Sequence, residues 1–210
     1  MPIHEHYRPG TPCWVDYGAL DPAGARAFYG ELFGWTFREE GGYAFIELGG
    51  RVVGGFGRVP PGLPASWNTY LATPDAQAAA AEVKERGGSV LLGPVPAGQD
   101  GRLLFALDNC GAPFGLWEGR RPAGIVLVGE PGTWCGHELW TYDAACYPEL
   151  HEVEVMPPPE GMSPCWLTFF ATADRAATTA RAVELGATIA SGRDHATIVH
   201  DPWGALLALT

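Results

Sequence analysis

Two acidic side chains, Asp16 and Glu138, stand at matching places in two similar aromatic stretches, "PCWVDYGALD" (12–21) and "WCGHELWTYD" (134–143). A carboxyl group buried between apolar walls resists ionisation, so its pKa rises and it can act as a general acid or base. The structural alternative is that each carboxylate lies at a wet edge of the fold, or pairs with an arginine such as Arg102. The sequence alone leaves both interpretations open.

A catalytic role for Asp16 requires neighbours that hold a substrate. Tyr70 and Asn68, in "SWNTYLATPD" (66–75), are the hydrogen-bond donors expected to do so, and Asp16 and Tyr70 are the candidate catalytic pair. Glu47 is a second carboxylate candidate. The sequence contains no Ser-His-Asp order, glycine-rich phosphate loop or nucleotide fingerprint.

Composition and charge limit the classes of function. The 210 residues carry a net charge of −11, whereas nucleic acids and anionic membranes require a positive protein surface. No basic-then-apolar leader opens the chain, and no apolar run approaches the ~20 residues that span a bilayer. The five cysteines have no CxxC spacing, which is typical of reduced thiols. We therefore expect a cytoplasmic protein without nucleic-acid or membrane partners.

An internal repeat identifies the elements that must position these residues. Four stretches each contain tryptophan, have the pattern of a strand and end in aspartate. They are "PCWVDYGALD" (12–21), "SWNTYLATPD" (66–75), "WCGHELWTYD" (134–143) and "CWLTFFATAD" (165–174). The chain therefore consists of four copies of one unit.

Helices follow three of the four predicted strands. In "DPAGARAFYGELFGW", Pro22 stands in a first turn and apolar residues recur at helical spacing. Asp75 and Asp174 are the predicted N-caps of the other two helices, and Gly87 and Gly186 their stops. Short strands follow each helix, with an Asp-x-x-Gly turn before the last one in the second and fourth copies. The unit therefore has the order β-α-β-β-β.

The third copy is shortened. Met156 follows Asp143 by only 13 positions, too few for a helix and three strands, so "LHEVEVM" (150–156) is predicted as one remaining strand. A strand without its helix leaves apolar surface uncovered. We therefore expect the strand at 134–142 to be covered by another chain or by the N-terminal tail. We expect His137, on the convex side of this strand, to be exposed or covered by a partner chain. A homodimer is the partner that this expectation suggests.

The arrangement resembles the vicinal-oxygen-chelate superfamily, which includes glyoxalase I, bleomycin-resistance proteins and extradiol dioxygenases. "DPAGARAFYGELFGW" and "DPWG" look like signatures of that group, and the likeness covers residues 11–210 apart from the third copy's gap. More narrowly, the chain resembles tandem glyoxalase-like proteins of actinobacteria. The resemblance implies an α+β fold in which tandem βαβββ units form half-open mixed-sheet barrels, in two pseudo-repeated halves. The predicted glyoxalase-like domains are 1–121, with two intact units, and 122–210, with a truncated and an intact unit.

The resemblance also implies where a metal would bind. Metal-dependent members carry ligands on the first strand of a unit, seven residues before its aspartate, and on the last strand, seven residues after its aspartate. The corresponding residues here are Trp14, Asn68, Gly136, Leu167, Gly115 and Ala208. Since none is His, Glu or Asp, we predict neither a metal nor another cofactor at these positions.

The same positions mark the concave face of each half, because side chains alternate along a strand. In the first half this face is predicted to bind a ligand through Trp14, Asp16, Asn68, Tyr70 and Trp117. In the second half the corresponding residues are Glu138, Trp140 and Phe169. Apolar walls with a few polar groups are typical of small-molecule sites, although aromatic residues also fill the cores of small sheets. The missing elements of the third copy favour the first half.

Three functions remain open at this point. The first is a small-molecule binding protein of the glyoxalase/bleomycin-resistance type, holding an apolar or aromatic metabolite, antibiotic or polyketide-like, in an aromatic-lined cavity. The alternative is an enzyme of the same superfamily that depends weakly or not at all on metal, using Asp16 as acid/base in an isomerase, lyase, hydrolase or cyclase reaction. The third is an assembly module that uses the shortened copy.

Overall fold

The chain folds as β-α-β-β-β units of which the third is shortened, as its repeat predicts. The computed structural model describes residues 7–59, 63–120, 123–147 and 149–210. The first unit contains β1 (Pro12–Ala19), α1 (Pro22–Phe33), β2 (Thr36–Glu40), β3 (Tyr43–Leu48) and β4 (Arg51–Arg58). The second contains β5 (Ser66–Ala72), α2 (Ala76–Glu85), β6 (Ser89–Ala97), β7 (Gly101–Leu107) and β8 (Pro113–Gly119). The third contains β9 (Trp134–Trp140) and β10 (Glu154–Met156), and the fourth β11 (Cys165–Phe170), α3 (Arg175–Glu184), β12 (Thr188–Gly192), β13 (Thr197–His200) and β14 (Leu206–Leu209).

Local sequence explains where the helices begin and end. The carboxylates of Asp21, Asp75 and Asp174 each accept a hydrogen bond from a backbone N–H group in the first turn of the helix that follows. Gly87 and Gly186 follow α2 and α3 with φ of 87° and 103°, which confirms both predicted stops. No helix in the described part of the chain is long and apolar enough to cross a membrane.

The strands form two mixed sheets of related design. The larger sheet has the order β2-β3-β4-β1-β5-β8-β7-β6 and the smaller β10-β9-β11-β14-β13-β12. In each sheet the first strands of two units pair antiparallel at the centre, and the last strand of each unit returns parallel beside its first. The smaller sheet thus repeats the larger one without counterparts of β2 and β3. The predicted α+β architecture of half-open mixed sheets in two pseudo-repeated halves is confirmed.

Two details refine the sequence prediction. The strand expected at 150–156 is present only as β10, its last three residues. The strand β2 was not identified from the sequence, because most of its residues are exposed and three of the five, Arg38 to Glu40, are charged. The predicted division between residues 121 and 122 falls outside the described residues and stays a prediction.

The two sheets pack back to back through their convex faces. The ring centres of Trp67 in β5 and Phe170 in β11 are 4.8 Å apart. Leu71 of β5 shares a buried cluster with Leu139 of β9. The larger sheet therefore covers β9 within one chain. The expectation that another chain or the N-terminal tail covers the 134–142 strand is wrong, and a homodimer stays an untested prediction.

His137 is buried by this packing rather than exposed. Its side chain is 5% exposed, and its ring centre lies 4.9 Å from that of Trp134 and 6.3 Å from that of Trp166. Neither ring nitrogen has a hydrogen-bond partner among the described residues. Burial lowers the pKa of His137 to about 3. The prediction that His137 is exposed or covered by a partner chain is therefore wrong.

Aspartates in the last hairpins connect opposing units across this interface. Asp201, in the predicted Asp-x-x-Gly turn before β14, accepts hydrogen bonds from the hydroxyls of Tyr17 (2.6 Å) and Tyr29 (2.9 Å). The indole N–H of Trp67 donates to Tyr29 at 2.9 Å. This network joins the fourth unit to the first and second.

Asp108 repeats the network for the shortened unit. It accepts hydrogen bonds from the hydroxyls of Thr141 (3.0 Å) and Tyr147 (3.4 Å), and Trp166 donates to Tyr147 at 3.2 Å. Tyr147 stands in the segment that replaces the helix, yet it supplies the same hydroxyl as Tyr29 does from α1. The third unit has lost its helix and kept the contact that this helix provides in the first unit.

Candidate functional site

The concave face of the larger sheet, here called the first cup, has Asp16 at its centre. Asp16 lies between Gly55 of β4 and Asn68 of β5, and its side chain is buried. The carboxylate accepts hydrogen bonds from Asn68 Nδ2 at 2.8 Å, Tyr70 Oη at 3.0 Å and Tyr43 Oη at 3.2 Å. None of the ion pairs within the described residues involves Asp16. Its partners are therefore all neutral donors.

The electrostatics of this group follow from its burial. Desolvation raises the pKa of the Asp16 carboxyl above its ordinary value, and the hydrogen bonds from Asn68, Tyr70 and Tyr43 partly oppose that rise. Burial, together with the nearby Asp16 carboxylate, raises the pKa of both tyrosines well above the ordinary value. Both phenols therefore stay protonated at neutral pH and act as donors.

Two glycines create the space for these tyrosines. A Cβ atom at Gly115 of β8 would overlap the ring of Tyr70, and one at Gly55 would overlap the hydroxyl of Tyr43. Glycine inside a strand often marks such a close approach. The absence of a side chain at both positions allows the two phenols to reach Asp16.

The metal site that the family resemblance implies does not fit these residues. At Gly115, where a last-strand ligand would stand, the ring of Tyr70 fills the space. The amide oxygen of Asn68 accepts a hydrogen bond from Ser66 Oγ at 3.0 Å, so it is already engaged. Within the described residues, no three His, Cys, Asp or Glu side chains are grouped to hold a metal ion. The described residues of the first cup therefore do not fit the metal site of the family.

Aromatic rings line the first cup around Asp16. Trp14 Nε1 donates a hydrogen bond to Tyr43 Oη at 3.1 Å. The rings of Trp14 and Phe45 pack edge to face, with their centres 6.1 Å apart. Across the sheet, the ring centres of Tyr70 and Phe105 are 6.1 Å apart. Several rings keep part of their surface exposed, namely those of Trp14, Tyr43, Phe45, Phe105 and Trp117. The cup therefore presents apolar ring surface beside a buried carboxylate.

The concave face of the smaller sheet, the second cup, is closed by its own side chains. Glu138 is 3% exposed and accepts hydrogen bonds from Arg193 Nη1 at 2.5 Å and Trp140 Nε1 at 2.8 Å. The guanidinium of Arg193 lies 5.8 Å from the ring centre of Trp140. Trp140 and Phe169 belong to one buried cluster with Leu167. The structure thus brings Glu138, Trp140 and Phe169 together in a packed, ion-paired core.

The structure also settles the contacts of the alternative residues. Glu47 pairs with Arg38 through Nε at 2.8 Å. Arg102 stands opposite Glu118 in the β7–β8 ladder, adjacent to the cup-facing position of Leu103, so its side chain is on the other face from Trp117. The proposed pairing of Asp16 with Arg102 is therefore wrong.

Tyr43 and Phe45 are site residues that the sequence reasoning missed. A signal was present, because they alternate in "YAFIEL" and the facing strand β4 contains Gly54 and Gly55. Glycines opposite aromatic residues on a neighbouring strand indicate that a large side chain crosses them. Of the predicted residues, Trp14, Asp16, Asn68 and Tyr70 come together, and Trp117 lies on the same face.

A cleft of about 270 Å³ lies outside both cups, between α2 and the side chains of Cys146, Tyr147 and Glu149. Its walls are mostly apolar, and the acidic residues around it already have partners. Asp75 caps α2, Glu82 pairs with Arg86, and Glu149 pairs with His151. Among the described residues that line the cleft, no carboxylate is therefore unpaired.

Comparison with known proteins matches the sheet that carries this site. Residues 14–117 match the family model described as "Glyoxalase/Bleomycin resistance protein/Dioxygenase superfamily". The chain is 32% identical to "Putative glyoxylase CFP32" of Mycobacterium tuberculosis, over 100% of this chain and 97% of that protein. It is 29% identical to "Anthracycline biosynthesis protein DauV" of a Streptomyces species, over 87% of this chain and 84% of that protein.

Solved structures show the same fold at low sequence identity. A Mn(II)-bound glyoxalase from Novosphingobium aromaticivorans superposes with a TM-score of 0.63 at 17% identity, covering 97% of this chain and 82% of that one. An extradiol ring-cleaving dioxygenase from B. fuscum superposes with a TM-score of 0.65 at 13% identity, covering 100% and 74%. Both likenesses concern the fold alone.

Proposed function

We propose that this chain, which belongs to the glyoxalase/bleomycin resistance protein/dioxygenase superfamily, is a small-molecule binding protein. Its ligand is an apolar or aromatic metabolite, antibiotic or polyketide-like, held against the rings of the first cup. The observation that carries the proposal is the set of half-exposed aromatic rings around the buried carboxylate of Asp16. Apolar walls with a few fixed polar groups are the usual composition of a small-molecule site.

The relatives support this ligand class. DauV and DnrV, 29% and 28% identical to this chain, are both named as anthracycline biosynthesis proteins. Anthracyclines are flat, polycyclic aromatic compounds. The edge-to-face contact of Trp14 with Phe45 leaves indole and phenyl surface on which such a ring system can pack.

Ligand titration of two matched variants tests the proposal. Replacing Trp14, which lines the first cup, by leucine should weaken the binding of a polycyclic aromatic probe about three- to tenfold, because ring contacts contribute roughly 0.5–1.5 kcal/mol. Replacing the half-buried Trp203 by leucine should leave binding unchanged, because Trp203 packs on Phe28 on the face of the sheet opposite the first cup. Equal losses in the two variants, or no binding of any aromatic probe, would contradict the proposal.

A second candidate function rests on the raised pKa of Asp16. Beside the hydroxyls of Tyr43 and Tyr70, this carboxyl is suited to transfer a proton in an isomerase, lyase, hydrolase or cyclase reaction on the same metabolite. Asp16→Asn should then abolish turnover while a neutral ligand still binds. Turnover at the wild-type rate in this variant would exclude that role.

A further inference from the structure

The two cups hold equivalent carboxylates with different partners. Asp16 stands opposite Asn68 in the β1–β5 ladder, and Glu138 stands opposite Leu167 at the matching place of the β9–β11 ladder. Glu138 is bound by the guanidinium of Arg193 at 2.5 Å. Asp16 accepts hydrogen bonds from amide and phenol groups only, as far as the described residues show. Within the part of the chain that the structure describes, one of these two buried acids is therefore ion-paired and the other is not.

A buried carboxylate is most stable when a cation accompanies it. In the second cup Arg193 meets this requirement, and its guanidinium also lies over the indole ring of Trp140. In the first cup the cation over Phe45 is Arg38, but its guanidinium is held by Glu47 at 2.8 Å and by Glu40 at 2.9 Å. Among the described residues, no basic side chain forms an ion pair with Asp16.

Resting on the proposed function, we propose that the ligand of the first cup carries a cationic nitrogen, a protonated amine or a guanidinium attached to its aromatic body. This nitrogen pairs with Asp16 as Arg193 pairs with Glu138. The surrounding rings of Trp14 and Tyr43 favour a cation over a neutral group, because the face of an aromatic ring is electronegative. The net charge of −11 attracts a cationic ligand from solution and repels an anionic one.

Three probes with one ring system test the charge requirement. They are 9-aminomethylanthracene, a cation at neutral pH, 9-anthracenemethanol, which is neutral, and anthracene-9-carboxylate, which is an anion. Anthracene fluorescence anisotropy reports the dissociation constant of each. We expect the cation to bind tenfold or more tighter than the neutral probe, and the anion to bind weakest, because an ion pair in a desolvated site is selective for charge.

Variants assign the effect to Asp16. Asp16→Asn should weaken the cation about tenfold or more, to the level of the neutral probe, and leave the neutral probe unchanged. Glu85→Gln removes the same charge from the exposed side of α2 and should alter none of the three affinities. A uniform loss for all three probes in Asp16→Asn would assign Asp16 a structural role and overturn the inference.

The probe ranking in the wild-type protein decides the question even where Asp16→Asn does not fold. Equal affinities of the cationic and neutral probes would refute the cation requirement and leave the aromatic site intact. Failure of all three probes to bind would refute the proposed function, and with it this inference.

Discussion

Replacing His137 by leucine should stabilise the protein at neutral pH and reduce its sensitivity to acid. His137 is 5% exposed between the two sheets, and neither of its ring nitrogens has a partner within the described residues. A buried polar group without a hydrogen bond costs about 1–3 kcal/mol. Leucine removes both nitrogens and retains an apolar side chain between Trp134 and Trp166. We expect a net gain of about 1–2 kcal/mol in the free energy of unfolding, since the branched leucine side chain does not reproduce the flat shape of the imidazole ring and part of the gain is lost in packing.

The acid dependence follows from the pKa of His137, which burial lowers from 6.5 to about 3. Below pH 6.5 the unfolded chain binds a proton that the folded chain does not accept until about pH 3. The unfolded state therefore binds more protons in this window, and stability falls as the pH falls. At about pH 4.5 the two pKa values give a loss of about 3 kcal/mol relative to about pH 8. The His137→Leu variant should not show this loss.

Urea unfolding followed by tryptophan fluorescence measures both effects. The difference in unfolding free energy between variant and wild type should grow by about 3 kcal/mol between about pH 8 and pH 4.5, since contributions from other groups cancel in the difference. His195→Leu, at an exposed position, is the matched control. A constant difference across this range would refute the account. A variant less stable than wild type at neutral pH would show that His137 has a buried partner.

Three further changes test the site and the interface. Gly115→Ala should displace the ring of Tyr70 and lower probe affinity about tenfold, and unchanged anisotropy titrations would contradict the close approach. Asp201→Ala removes the acceptor of two buried hydroxyls and should lower the free energy of unfolding by about 3–5 kcal/mol, whereas a loss below about 1 kcal/mol in urea would contradict the network. Arg193→Ala leaves Glu138 buried without its cation, at a cost of about 3 kcal/mol, and millimolar ethylguanidinium should restore part of the melting temperature. Absence of this rescue would count against the ion pair as the source of the loss.

Local features of the sequence predict much of the fold. The aspartates at 21, 75 and 174 cap their helices through contacts within three residues, so the repeat alone locates them. The cover of β9 could not be predicted in this way, because it depends on packing between residues far apart in the chain, such as Leu71 and Leu139 of one buried cluster. The sequence of β9 alone therefore does not indicate which surface packs against this strand.

At the candidate site, too, contacts between neighbouring strands could be predicted and contacts between distant residues could not. Asp16, Asn68 and Tyr70 lie on two paired strands, and simple alternation brings them together. Tyr43 reaches Asp16 from β3, across β4, and only because Gly55 carries no side chain. The ion pair of Arg193 with Glu138 joins residues 55 positions apart, and strand alternation gives no information about it.

The shortened third unit and the closed second cup have one physical explanation. In the first cup, β3 supplies Tyr43, whose hydroxyl reaches Asp16, and Phe45, which forms part of the wall. The smaller sheet has no counterpart of β2 and β3, so Glu138 lacks a donor and a wall from that side. Arg193, which follows β12 at the opposite edge of the sheet, forms an ion pair with Glu138. The back of the sheet keeps its contacts through Tyr147, so the shortened unit lacks the aromatic wall of the first cup but retains the interface between the sheets. Of the two equivalent carboxylates, only Asp16 therefore lacks a cationic partner among the described residues.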